Sequence, residues 1–169
     1  MVIWLMGISG AGKTTLGVKV HEYFQNKNIK SFILDGDVVR NFYDNDLGFS
    51  KEDRIANIKR IMLSAHVLEK NKIIPIVCNI SPFEELRNIA RKKFDSYHEI
   101  YLKKNLETAK KNDVKNVYEN NIDKTEIIGI DLAFDKPLNS NLTINVDFET
   151  PDESFKKILN YISKVLQND

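Results

Sequence analysis

The residues best suited to chemistry form a glycine-rich segment, G-I-S-G-A-G-K-T-T, at residues 7–15. It fits the pattern G-x-x-x-x-G-K-[ST] at every fixed position, after a predicted strand and before a predicted helix. Glycines let backbone N–H groups wrap a phosphate, and the helix start adds the positive end of a dipole. Lys13 can reach the β- and γ-phosphates of a nucleotide, and the Thr14 hydroxyl can bind Mg²⁺. The pattern predicts a nucleoside triphosphate site, and a turn that binds nothing is the weaker alternative. The expected site residues are Gly7, Ser9, Gly10, Ala11, Gly12, Lys13, Thr14 and Thr15.

A pair of carboxylates, Asp35 and Asp37, follows the second predicted strand and is separated by Gly36. Parallel sheets bind ligands at the carboxyl edge, where this pair is expected to lie. One aspartate can accept the proton of a hydroxyl that receives a phosphoryl group, while the other supports water or a metal. The alternative is a turn in which both side chains cap the local backbone. Beside a triphosphate site, the functional interpretation is favoured.

A third group of candidate residues surrounds the start of a long predicted helix. Ser50 is expected to be its N-cap, so Arg54 and Asn57 project from one face of its first two turns. Arg40 and Arg54 suit an anionic substrate, because guanidinium forks match phosphate or sulfate oxygens. Phe49 is either a hydrophobic staple or a platform for a nucleobase, and the pattern leaves this open.

The segment Asn79-Ile80-Ser81-Pro82-Phe83 follows the third predicted strand. Ser81 is interpreted first as a helix N-cap and second as a substrate contact. Cys78 and Trp4 are expected to pack in the core. The histidines show no metal-ligand spacing.

Short apolar runs alternate with amphipathic stretches, which predicts an α/β fold with a parallel five-stranded sheet in one domain, residues 1–169. Strands are predicted at residues 2–6, 31–34, 73–78, 98–102 and 142–146. Helices are predicted at residues 13–25, 51–70, 82–94, 106–112 and 151–166, the last opened by a capping box at Thr150. The polar, weakly periodic stretch 113–141 is interpreted as a lid, a binding loop or a disordered insert, and the lid would lie at about 113–128.

Composition limits the function further. The chain has 169 residues, 25 Lys and Arg against 24 Asp and Glu, and a net charge of +1. That balance argues against a nucleic-acid-binding protein. A single cysteine excludes an internal disulfide, and no apolar run is long enough for a membrane span, so a cytoplasmic location is expected.

Taken together, these motifs resemble the adenylylsulfate (APS) kinase family. The resemblance rests on G-I-S-G-A-G-K-T-T, L-D-G-D-V-V-R, L-G-F-S-K-E-D-R-I-A-N-I-K-R, N-I-S-P-F and I-G-I-D, which span residues 1 to about 137. It implies a three-layer P-loop kinase fold, Mg-ATP as donor, and phosphorylation of the ribose 3′-hydroxyl of a nucleotide, and it suggests a homodimer. The implied catalytic residues are Lys13 and Asp37, which would be the base. The implied acceptor site contains Asp35, Arg40, Phe49, Arg54, Asn57, Ile80, Ser81 and Lys115.

The lid departs from the family pattern. Where the family has F-T-G-I-D, residues 127–131 read I-I-G-I-D, so Ile127 replaces the phenylalanine opposite Phe49 in the adenine sandwich. A lost stacking partner costs about 1–3 kcal/mol per base. This loss favours a changed acceptor, and the favoured one is cytidine 5′-diphosphoramidate, as in the similar kinase of capsule phosphoramidate biosynthesis.

Other functions stay open at this point. The first alternative is an ordinary APS kinase, and a kinase of small hydroxylated metabolites is more distant. A regulatory GTPase is disfavoured because N-K-x-D is missing from the place where it would read guanine. A non-catalytic nucleotide-binding module is the last alternative.

Overall fold

The computed structural model describes residues 1–111, 118 and 126–168. The predicted lid at 113–128 therefore lies outside the described residues, except for Tyr118 and 126–128. Lys115 also lies outside them. Within the described part of the chain, no helix combines the length and apolar character that crossing a bilayer requires.

Five strands form one parallel sheet in the order β2-β3-β1-β4-β5. The first strand lies in the centre and is buried along its whole length, which explains why V-I-W-L-M is continuously apolar. The predicted strands are confirmed, with ends that differ by at most one residue. The strands are β1 Val2–Met6, β2 Ser31–Asp35, β3 Ile74–Cys78, β4 Tyr97–Lys103 and β5 Leu142–Asn145.

Helices cover both faces of the sheet and give the three layers that the sequence predicts. On one face, side chains such as Phe24 and Ile158 pack against the sheet, and on the other face Ile61 and Leu86 do so. The helix at 36–42 was not predicted. The helices are α1 Lys13–Asn26, α2 Gly36–Phe42, α3 Lys51–Lys70, α4 Glu84–Lys93, α5 Leu106–Lys111 and α6 Pro151–Asn168.

Two of the predicted helix caps are confirmed. The Asp53 backbone N–H donates to Ser50 Oγ at 3.2 Å at the start of α3. At the start of α6, the Thr150 N–H donates to Glu153 Oε2 at 2.8 Å, and the Glu153 N–H donates to Thr150 Oγ1 at 3.3 Å.

The sheet register brings three loops to one edge. Cys78 in β3 lies level with Leu5 in β1 and Asp35 in β2, so the segments after these strands leave side by side. Close packing fixes the first helix here, because a Cβ on Gly17 would lie 2.4 Å from Cys78 Sγ. The thiol donates to the Lys13 carbonyl at 3.4 Å. Burial raises the pKa of Cys78 to about 12, and the charge of Asp35 acts in the same direction.

Candidate active site

The glycine-rich loop joins β1 to α1 in a backbone conformation that its glycines permit. Gly10 and Gly12 have φ of 74° and 86°, in the left-handed region, and Gly12 is the N-cap of α1. Gly7 has φ of 150°, and a Cβ there would lie 2.5 Å from the Leu102 carbonyl oxygen. This part of the loop therefore accepts only glycine without a backbone shift.

Lys13 lies across the same loop. Its ammonium donates to the carbonyls of Gly7 at 3.0 Å and Ile8 at 2.8 Å. No acidic residue lies in the first turn of α1, so no side chain there opposes the positive end of the helix dipole. Loop, ammonium and helix start together form a site suited to phosphate groups.

The first aspartate of D-G-D faces the donor side. Thr14 Oγ1 donates to Asp35 Oδ2 at 2.7 Å, and Asp35 Oδ1 accepts from the Asp37 backbone N–H at 2.9 Å. Asp35 therefore caps α2, which is the role that the turn alternative predicts for this residue. It also contacts Thr14. The acceptor contact predicted for Asp35 stays a prediction, beside its observed contact with the donor loop.

A hydroxyl and a carboxylate oxygen at this distance are ligands that Mg²⁺ accepts, so Thr14 and Asp35 fit the expected ion. Among the residues described, no group of three or more His, Cys, Asp or Glu side chains is placed to hold a metal. This is compatible with an ion that keeps waters and binds mainly to nucleotide phosphates.

Asp37 lies in the first turn of α2, and its side chain is exposed. Two neighbours fix the loop that carries it. Asn57 Nδ2 donates to the Gly36 carbonyl at 3.3 Å, and a Cβ on Gly36 would lie 2.3 Å from Asn79 Nδ2. Asn57 is 2% exposed, and its Oδ1 has no hydrogen-bond partner among the described residues. Such an orphaned buried acceptor is available to a donor from a ligand or from water.

Phe49 lies between two arginines. The guanidinium carbons of Arg40 and Arg54 lie 4.7 Å and 5.4 Å from the centre of its ring, and Phe49 is 43% exposed. The staple alternative is wrong, because the residue at the staple position of α3 is Arg54 rather than an apolar one. An exposed ring held by two cations is compatible with the predicted nucleobase platform.

Both guanidinium groups use backbone carbonyls as partners. Arg40 donates to Leu47 and Gly48 at 3.1 Å and 2.6 Å, while Arg54 donates to Phe49 and Glu126 at 2.8 Å and 2.5 Å. Within the described part of the chain, neither forms an ion pair with a carboxylate.

Electrostatics at this pair favour an anion. Burial lowers the pKa of Arg40, partly opposed by the charges of Asp37 and Asp53. Burial also lowers the pKa of Arg54, and the positive charge of Arg40 lowers it further. Both groups stay protonated at neutral pH, since the ordinary pKa of a guanidinium lies far above neutrality. A phosphate or sulfate group would relieve their repulsion.

The prediction that Ser81 caps a helix is wrong. The fourth helix begins at Glu84, its N-cap position is Phe83, and the Glu84 N–H donates to the Asp135 carboxylate at 3.0 Å. Nothing in the local sequence indicates this cap, because Asp135 lies 51 residues away.

Ser81 itself is 2% exposed and has a φ of 49°. Its Oγ accepts from Trp4 Nε1 at 2.7 Å and donates to Asn79 Oδ1 at 3.2 Å. The hydroxyl is therefore fully engaged inside the protein.

Trp4 and Cys78 are buried as predicted, and Ile80 lies half-buried beside Ser81. A contact of Ile80 or Ser81 with an acceptor stays a prediction.

The segment 127–131, at the end of the predicted lid, forms a tight turn. The Ile127 N–H donates to the Asp131 carboxylate at 2.8 Å, and Gly129 takes a φ of 94°. Ile127 is 7% exposed, whereas Ile130 is 49% exposed. Arg54 attaches the start of the segment through its bond to Glu126.

A parallel sheet with this loop after its first strand, and an aspartate pair beside the loop threonine, defines the chain as a P-loop kinase. The family model of adenylylsulphate kinase matches residues 1–145. The chain therefore belongs to the adenylylsulphate kinase family, and it is an ATP-dependent kinase with a hydroxyl acceptor that uses Mg²⁺.

Individual proteins show the same similarity. The adenylyl-sulfate kinase of a Picosynechococcus species is 36% identical over 168 residues, which cover 98% of this chain and 94% of that protein. The probable adenylyl-sulfate kinase of Pyrococcus abyssi is 38% identical over 160 residues, covering 93% and 91%. A solved Mycobacterium tuberculosis APS kinase, in complex with AMPPNP and APS, has a TM-score of 0.88 at 28% identity, and 96% of each chain is covered.

Proposed function

We propose that this protein is an adenylylsulfate kinase, which transfers the γ-phosphoryl group of ATP to the ribose 3′-hydroxyl of adenosine 5′-phosphosulfate. The observation that carries the proposal is the hydrogen bond of 2.7 Å between Thr14 and Asp35. It joins the phosphate loop to the aspartate loop. The donor site therefore contacts Asp35, and Asp37 follows two residues later in the same loop. The names of the similar proteins support the same acceptor.

On the donor side, the amides of the loop and the ammonium of Lys13 bind the β- and γ-phosphates of ATP. Thr14 and Asp35 would hold Mg²⁺, which when bound neutralises the charge that builds up on these phosphates. Lys13 then exchanges its present carbonyl partners for phosphate oxygens.

On the acceptor side, Asp37 orients the ribose hydroxyl and accepts its proton. A bond forms between the ribose oxygen and the γ-phosphorus, and the bond from that phosphorus to the β–γ bridging oxygen breaks, which releases ADP. Arg40 and Arg54 bind the 5′-phosphosulfate anion, and Phe49 stacks on the base. Asn57 Oδ1 supplies the buried acceptor for a donor of the nucleotide.

A coupled assay of ADP formation tests the acceptor directly. We expect kcat/KM for adenosine 5′-phosphosulfate to exceed that for cytidine 5′-diphosphoramidate by about tenfold or more. Phosphorus NMR of the product should place the new phosphate on the ribose 3′-oxygen. Equal or greater kcat/KM for the cytidine nucleotide would refute the proposed acceptor.

Cytidine 5′-diphosphoramidate is retained as a second candidate because of Ile127. Among the described residues, no aromatic ring is paired with Phe49, whose ring contacts are the two guanidinium groups. If this candidate is right, Ile127→Phe should shift the ratio of kcat/KM values toward the adenine nucleotide. An unchanged ratio would remove Ile127 as the reason to consider a pyrimidine.

A kinase of small hydroxylated metabolites would need no aromatic platform beside Arg54, so Phe49→Ala would leave its acceptor KM unaffected. The homodimer and the cytoplasmic location remain predictions. Light scattering of the purified protein would test the homodimer.

A further inference from the structure

We infer that Arg87, a residue of α4, is a positioning residue for the acceptor pocket. It fixes the loop 79–82 and the end of the segment 126–135 relative to each other. The inference rests on the proposed function, because it assumes that these two segments border the acceptor. Arg87 itself is 1% exposed, so it would act through the segments that it holds.

The guanidinium of Arg87 connects the loop before its helix and the first turn of that helix to Asp135, which lies 48 residues away in sequence. Its Nη1 donates to the Ser81 carbonyl at 2.7 Å, and its Nη2 donates to the Asp135 carbonyl at 2.6 Å. Its Nε donates to Glu84 Oε2 at 2.9 Å, and Nη2 forms a second contact with the same oxygen. Only the planar fork of arginine can supply donors in these directions at once, so lysine cannot replace it without losing contacts.

The first of these bonds holds a strained residue. Ser81 is not glycine, yet its φ of 49° lies in the left-handed region. Such a conformation persists only where several contacts fix it. Its N–H donates to Asn79 Oδ1 at 2.9 Å, its Oγ accepts from Trp4, and its carbonyl accepts from Arg87. Without Arg87, the carbonyl loses its restraint and Ile80, the preceding residue, loses its fixed position.

The second bond fixes the segment that carries Ile127. At Asp135, the backbone N–H donates to the Pro82 carbonyl at 2.9 Å, and the carboxylate accepts from the Glu84 N–H. The opposite end of the segment is bound by Arg54 through Glu126. The two borders of the pocket therefore meet at Arg87, and both should move when it is replaced.

Arg91 provides a matched control within the same ion-pair network. Its Nη1 donates to Glu84 Oε1 at 2.6 Å, and its Nη2 donates to the buried Glu99 Oε2 at 2.7 Å. Arg91 thus shares Glu84 with Arg87, on the same helix, but contacts neither Ser81 nor Asp135. A purely structural role of the network would make both arginines behave alike.

Arg87→Lys and Arg91→Lys should be compared in kcat, in KM for both nucleotides, and in urea unfolding. We expect Arg87→Lys to raise the acceptor KM about ten- to a hundredfold while the ATP KM stays within about twofold. Arg91→Lys should lower stability and leave both KM values unchanged. Asp135→Ala, at an exposed position, keeps the carbonyl that Arg87 binds but removes the carboxylate bond to the Glu84 N–H, which joins the same two segments. It should raise the acceptor KM by a smaller factor and tests this junction if Arg87→Lys does not fold.

The inference is overturned if Arg87→Lys leaves the acceptor KM unchanged, if the ATP KM rises equally, or if Arg91→Lys reproduces its effect. If Arg87→Lys does not fold, an unchanged acceptor KM in Asp135→Ala overturns it. A wild-type protein that phosphorylates no nucleotide instead overturns the proposed function, and the inference with it. An active wild type separates the two, because the variants then report on Arg87 alone.

Discussion

Replacing Asp37 with asparagine removes the carboxylate proposed to accept the proton and keeps the size of the side chain. The fold should tolerate this change, because Asp37 is exposed and the cap of α2 is supplied by Asp35. What the helix loses is a negative charge in its first turn, worth about 0.3–1 kcal/mol. Unfolding therefore cannot account for a large loss of activity.

The expected loss of rate is much larger than this loss of stability. A positioned general base contributes about 10²–10⁴ in rate. Since a factor of ten corresponds to about 1.4 kcal/mol, the barrier should rise by about 2.7–5.5 kcal/mol. The KM for ATP should change less than about twofold, because Lys13, Thr14 and Asp35 remain in place.

Initial rates of ADP formation at saturating ATP and acceptor give kcat, and urea unfolding gives the stability of the same samples. Glu52→Gln is the matched control, since Glu52 is an exposed acid in the first turn of α3. It should keep wild-type kcat. A fall of less than about tenfold in Asp37→Asn, or an equal fall in Glu52→Gln, would refute the assignment of Asp37 as the base.

Three further predictions concern Phe49, Glu84 and Cys78. Phe49→Leu should raise the acceptor KM about 5- to 150-fold, as loss of about 1–3 kcal/mol of stacking requires, with an unchanged ATP KM. Burial opposes ionisation of Glu84, but bonds from Arg91 and Arg87 outweigh it and lower its pKa below 4.5. Its contribution is complete above pH 4.5 and lost as pH falls through the lower folded pKa, so the stability that Glu84→Gln costs should be largest at pH 7 and shrink as the solution is acidified. Cys78, with a pKa of about 12, should react with a thiol reagent only after unfolding, and rapid labelling of native protein would contradict its burial.

The strands and long helices were predictable because each repeats a simple pattern over many residues. The helix Lys51–Lys70 was predicted with both ends correct, since Ser50 caps it and its buried positions recur at helical spacing. The helix Gly36–Phe42 was missed because seven residues contain too few turns for periodicity. Its only signal was Asp35 as a cap, and the D-G-D pattern is equally typical of a turn or of an acceptor contact.

The unpredicted contacts of Ser81 and Asp35 share one physical cause. In both cases the side chain is bound by a residue from a distant part of the sequence, Trp4 for Ser81 and Thr14 for Asp35. A local pattern reports which caps are available, but not which tertiary partner competes for the same oxygen. Arg87 and Asp135 were missed for the same reason, since an arginine in an amphipathic helix has no sequence feature that predicts burial.

The acceptor pocket separates affinity from selectivity. In the proposed acceptor site, Arg40 and Arg54 bind the 5′-anion, which both candidate nucleotides carry, so their positive charge would raise affinity for either one. Selectivity between the bases then depends on Phe49 and on whatever lies opposite it. A missing partner at Ile127 removes about 1–3 kcal/mol, which weakens acceptor binding about 5- to 150-fold but leaves the reacting groups in place. That loss is compatible with an adenylylsulfate kinase of raised acceptor KM, and it does not require a different base.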